Sequence, residues 1–104
     1  MSKARAPQHS DDAVYRISEL VDASGVSRDM IKYYLRAGLL PPAEKPRANL
    51  SLYTVRHLRL IALVRKFQEQ TRLSLPQIAD VFRNADFDPS NIEIELLSAR
   101  RDDA

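Results

Sequence analysis

The chain has 104 residues, of which 44% are apolar and 29% charged, and it contains no cysteine. That length makes a single domain, and the missing thiols exclude a disulfide scaffold, a thiolate zinc finger and thiol chemistry. No apolar run approaches the roughly 20 residues of a membrane span, and the opening MSKARAPQHSDDA lacks the apolar stretch of a secretory signal. The expectation is therefore a soluble, cytoplasmic protein.

Residues 1–13 mix Pro, Ser, Asp and basic residues without periodicity and read as a disordered arm. From Tyr15 the pattern changes. Ser18 can cap a short helix over Glu19–Ser24, and Gly25 supplies its stop. Ser27 caps a second helix, Arg28–Ala37, stopped by Gly38. Two short helices joined by a Gly-Val turn predict a helix-turn-helix. The stretch LLPPAEKPRANLSLY holds three prolines and resists helix formation. Leu39–Leu40 and Leu50–Tyr53 are expected as two short strands around a basic loop, giving a wing at residues 41–52.

Thr54 opens a longer helix, Val55–Gln70, whose apolar residues cover more than half of the helical wheel. Such breadth predicts a central helix that meets the core on one side and another element or subunit on the other. Leu60, Leu63 and Phe67 are its candidate dimer contacts. Ser74-Leu-Pro-Gln77 is a capping box that starts a helix reaching about Asn84. Asp88-Pro89 can begin a last short helix with the stripe Ile92/Leu96, a further candidate for dimerisation, although IEIEL also alternates with the period of a strand. The tail RRDDA reads as frayed. The fold class expected is mainly α: a winged helix-turn-helix over residues 14–84 with a short hairpin wing and a helix pair, then a short helical segment in 85–104.

Charge follows this division. The formal net charge of +2 conceals +6 in residues 14–83 and −4 in residues 84–104. A basic body suits a polyanion partner, and it also suits an unevenly charged solvated surface. The second helix separates the two readings best. With about 100° between successive residues, Arg28, Lys32 and Arg36 lie within about 80° of one another, continued by Asp29 and Tyr33, while Ile31, Tyr34 and Leu35 take the other side. Cations on such a face neutralise phosphates, and residues near the helix N-terminus reach base edges in a major groove. An arginine there can make a two-pronged bond to guanine, and Asp29 can accept from a cytosine amine. The alternative is a solvated face with i,i+4 charge spacing. Lys45, Arg47 and Asn49 on the wing extend the basic surface toward a backbone or minor groove. Tyr53 is expected to be core or half-buried with its hydroxyl open to a phosphate. His57 fits either a backbone contact or a packing role.

These pieces together resemble the DNA-binding domain of the MerR family of bacterial transcription regulators. The fragments that carry the resemblance are Ile17-Ser-Glu19-Leu20, Gly25-Val26-Ser27, Ile31-Lys32-Tyr33-Tyr34, Gly38-Leu39-Leu40, Leu52-Tyr53, Leu58-Arg59-Leu60-Ile61 and Leu73-Ser74-Leu75 with Ile78. Each is weak alone, but their order and spacing over residues 15–83 are specific. The resemblance implies a homodimer on near-palindromic promoter DNA, in a family many of whose members distort an overlong spacer so that RNA polymerase can engage both elements. It places Arg28 at a base-contact position, Lys32, Tyr33 and Arg36 at backbone positions beside Ser27, and Arg47 on the wing.

The chain departs from the family text at several points. Lys32 replaces an arginine and cannot make a planar two-pronged contact. Asp29 stands where a polar or basic residue is usual. Asn49-Leu50-Ser51 replaces Gly-Tyr-Arg. About twenty residues follow Phe82, interrupted by Pro89, where the family carries a long dimerisation helix and an effector domain; the expectation is a minimal or truncated member. No cofactor is expected, and no cluster supports an enzyme. An excisionase-like or architectural DNA binder of the same fold, or a protein-interaction module, are the alternatives.

Overall fold

A computed structural model describes residues 14–100 of the chain; the N-terminal arm and the final four residues of the sequence reading lie outside the described residues. The elements in order are β1 (Val14–Tyr15), α1 (Ile17–Ser24), α2 (Arg28–Arg36), β2 (Glu44–Arg47), β3 (Leu50–Thr54), α3 (Val55–Gln70), α4 (Leu75–Asn84) and α5 (Pro89–Ala99).

Local chemistry sets most of the boundaries. The α1 helix begins two residues before the expected start, with Arg16 as N-cap and the Glu19 carboxylate accepting from the Arg16 N–H at 2.7 Å. The Ser27 hydroxyl accepts from the Met30 N–H at 3.1 Å and starts α2 as expected. At the other end of α2, Gly38 has a φ of 81°. Its N–H bonds the Leu35 carbonyl at 3.3 Å and the Leu39 N–H bonds the Tyr34 carbonyl at 2.9 Å, which is a Schellman stop. Ser74 and Gln77 exchange their bonds reciprocally at 3.3 and 2.8 Å and open α4. The last segment is a helix, not a strand. The Asp88 carboxylate caps it by accepting from the Ser90 N–H at 3.0 Å, and Pro89 occupies its first turn.

The wing is built differently from the expectation. Leu39 and Leu40 form no strand; both are buried beneath the turn that leaves α2. The outer strand is β2, Glu44–Arg47, which contains Pro46 and is exposed along its whole length. Proline is tolerated there because an edge strand has one side without a ladder partner. The three strands run in the order β1-β3-β2, each pair antiparallel, with Tyr15 opposite Tyr53 and Arg47 opposite Leu50. The two-residue β1 went unread because so short a segment has no periodicity to show.

The core gathers around α3, which packs against α1, β3, α4 and α5. Phe67 and Phe82 meet edge to face at 5.6 Å, and Ile61, Val64, Ile78 and Ile92 close around them. Each such side chain contributes about 1.5–3 kcal/mol by leaving water. This arrangement corrects the expected dimer contacts. Leu60, Leu63, Phe67, Ile92 and Leu96 are all buried within the single chain, because α4 and α5 fold back over α3 and occupy the side reserved for a partner. The large apolar residues that α5 leaves in solvent are Ile94 and Leu97.

Candidate nucleic-acid interface

The α2 helix enters the core through Ile31 and Tyr34, with Leu35 half-covered. Rotation by about 100° per residue then divides its free surface into two flanks. Arg28, Lys32 and Arg36 form one flank, and all three are exposed. None of them forms an ion pair with a described residue; the ion pair found among those residues joins Arg83 to Asp80 on α4. Three cations that no described carboxylate neutralises make a surface suited to phosphate.

Arg28, at the start of that flank, lies near enough to β3 for its charge to act on Tyr53. Tyr53 on β3 is buried, and burial pushes its phenol above the ordinary range, while the Ser51 side chain and the Arg28 charge pull the other way. Arg28 thus acts on the strand that carries the wing. Lys45, Arg47 and Asn49 are exposed at the far end of that hairpin. Ser27, Arg28, Lys32, Arg36, Lys45, Arg47 and Asn49 are therefore all surface residues, as a contact role requires.

Asp29 and Tyr33 sit on the other flank. With Ser27, Met30, Gln68 and Leu75 they line a groove of about 450 Å³ between α2 and the end of α3. Met30, exposed on this flank, was not singled out from sequence, although an apolar residue on a charged helix face was the available signal. Arg65 was missed as well. Its charge draws down the Tyr34 phenol, which burial holds above the ordinary value.

Tyr53 and His57 do not join the contact surface. Tyr53 is only 4% exposed and packs edge-on against the His57 ring at 5.2 Å. His57 is also 4% exposed. Its Nδ1 accepts from the Thr54 N–H at 3.0 Å, and its Nε2 lies 2.9 Å from the Pro41 carbonyl oxygen. Both nitrogens are thus used inside the protein, so the backbone-contact alternative for His57 falls away. Burial, first among several causes, lowers its pKa.

A capped helix pair followed by a hairpin edged with cations defines a winged helix-turn-helix. Residues 15–85 match the family model described as MerR HTH family regulatory protein, and the chain belongs to that family. It is similar to the mercuric resistance operon regulatory protein of Bacillus cereus, with 33% identity over 55 residues, or 53% of this chain and 42% of that one. The chain spans less than half the length of this curated relative. It also resembles the crystal structure of a MerR family transcriptional regulator from Listeria monocytogenes, with a TM-score of 0.56 and 29% identity over 81% of this chain and 70% of that one. Among the described residues no helix is long and apolar enough to cross a membrane.

Proposed function

We propose that this chain is a sequence-specific DNA-binding regulator that lays α2 in a major groove of promoter DNA, with the β2–β3 wing over the adjoining backbone. The observation that carries this reading is the exposed flank of Arg28, Lys32 and Arg36, which pairs with no described carboxylate, together with Lys45 and Arg47 exposed on the wing. Family membership supports it, as does the position of Arg28 in the first turn of a helix whose start is fixed by Ser27. Arg28 reads a base edge, Lys32 and Arg36 hold phosphates, and Asp29 disfavours a phosphate on its own side of the groove.

A near-palindromic site requires two copies. The exposed Ile94 and Leu97 on the outer face of α5 support pairing there rather than through α3. RNA polymerase would then respond indirectly, to the shape of the DNA. Light scattering on operator-length duplex checks the pairing. Replacing Ile94 and Leu97 together with Ser should lower the mass of the complex from two copies to one, and an unchanged mass would place the contact elsewhere.

Titration against duplexes of varied sequence tests the reading itself. Arg28→Ala should relax preference at one base step by about 1–3 kcal/mol. Lys32→Ala should weaken binding to all sequences alike and reduce the salt slope by about 1. Site preference untouched by Arg28→Ala would contradict the base-reading role. A flat salt response of the unaltered chain would favour a protein partner instead.

A further inference from the structure

His57 occupies the third position of α3, where a capping box normally carries Glu or Gln. A carboxylate or amide there has one task, to accept from the backbone N–H of the N-cap residue. The imidazole does this and more. Because the Thr54 N–H can only donate, Nδ1 must be bare, and the neutral ring then carries its proton on Nε2. That proton points to the Pro41 carbonyl oxygen, 2.9 Å away and 16 residues back in sequence. Pro41 lies in the segment that leaves α2 and enters β2, while Thr54 is where β3 ends. One buried ring therefore ties both ends of the wing to the first turn of α3. Tyr53 packs against it edge-on, opposite Tyr15 in the sheet.

We infer that His57 is a positioning residue for DNA binding, a tether whose Nε2–H bond to Pro41 sets where the wing cations Lys45 and Arg47 meet the backbone. Strand β3 is held by β1, α1 and α3, but β2, the outer half of the hairpin, has few restraints besides its pairing with β3. Strand β2 is exposed along its length, it holds a proline, and its pairing with β3 shifts register between Glu44 and Arg47. Such a hairpin keeps a fixed direction only if its base is held. The groups around the ring are Arg56 on α3 and Glu44 on β2, with Arg59, Asp88 and Ser90 lining the cleft beyond. None of these side chains is hydrogen-bonded to the ring. The inference rests on the DNA-binding reading and assigns it a further residue.

Two substitutions separate the ring's two bonds. His57→Glu keeps an acceptor for the Thr54 N–H and, as a carboxylate, has no proton to give Pro41, whereas His57→Ala loses both bonds. Each is combined with Lys45→Ala/Arg47→Ala, and affinity for a mixed-sequence DNA duplex is measured against salt concentration, with thermal unfolding recorded for every variant. In the unaltered chain the wing pair should lower the slope of log K against log salt by about 2, at about 0.9 per phosphate. In the His57→Glu background the same pair should lower it by less than about 1, with a cooperative unfolding transition showing that this variant still folds. Equal reductions in the two backgrounds would overturn the tether and leave the DNA reading standing. No reduction even in the unaltered chain would overturn the wing's role, and with it the tether. Binding without any salt dependence would overturn the DNA reading itself.

Discussion

Helices α2 and α3 are both rich in Arg and Lys, but they spend their surfaces differently. The shorter one buries only Ile31 and Tyr34 and turns its cations outward. Its longer neighbour buries Val55, His57, Leu60, Ile61, Leu63, Val64 and Phe67 and touches four other elements. The breadth of a helix's apolar face thus reports how many neighbours it has in its own chain, and by itself implies no second copy. A narrow apolar stripe beside three cations that pair with no described residue reports the opposite, a helix with one side kept for something outside the chain.

The sharpest way to break this contrast is to truncate one residue on each helix. Phe67→Ala should lower stability by about 3–5 kcal/mol, since Phe82 and the surrounding aliphatic side chains cannot close the hole. Lys32→Ala should change stability by no more than about 0.5 kcal/mol while weakening DNA binding. Denaturant unfolding checks both values. Similar losses of stability from the two substitutions would mean that α2 is no less structural than α3.

A smaller effect is expected where α4 turns into α5. Asp86 and Phe87 both have positive φ, 57° and 55°, and the Phe87 N–H closes on the Phe82 carbonyl as in a glycine-ended stop. Side chains pay steric strain in that region, and Asp tolerates it better than most. Asp86→Gly should therefore raise stability by up to about 1 kcal/mol. A loss of stability would show that the Asp86 side chain has a role there beyond its strained backbone.

The gentlest effect is on pH. Burial lowers the His57 pKa from its ordinary value near 6.5. The unfolded chain then binds the proton more readily than the folded one, so stability increases with pH across that interval. The contribution is complete above about pH 6.5 and is lost as pH falls through the lower folded value. Protonated Nδ1 could no longer accept from Thr54, which gives the loss a structural cause. In His57→Gln this part of the pH dependence should vanish, and a persistent slope would assign it to other groups.

Much of the architecture was legible because it is written in local chemistry. Gly25 and Gly38 mark stops, Ser27 and Ser74 mark starts, and Asp88-Pro89 opens the last helix. The parts that were not legible depend on long-range contacts. Strand β2 runs through Pro46, which reads as a breaker until the strand is known to lie at an edge. Leu39 and Leu40 look like a strand until the turn that buries them is known. At the candidate interface, the cationic row and the basic wing were readable from helical spacing and composition. The task of His57 was not, since its second partner lies at the other end of the wing.

The most direct measurement compares the unaltered chain with an Arg28→Ala/Lys32→Ala/Arg36→Ala variant, titrated on duplex DNA over a range of salt. The variant should unfold like the unaltered chain and lose most of its affinity. Its salt slope should fall by up to about 3, at about 0.9 for each phosphate contact removed. A variant that bound with the original affinity and slope would show that this flank of α2 does not face the DNA.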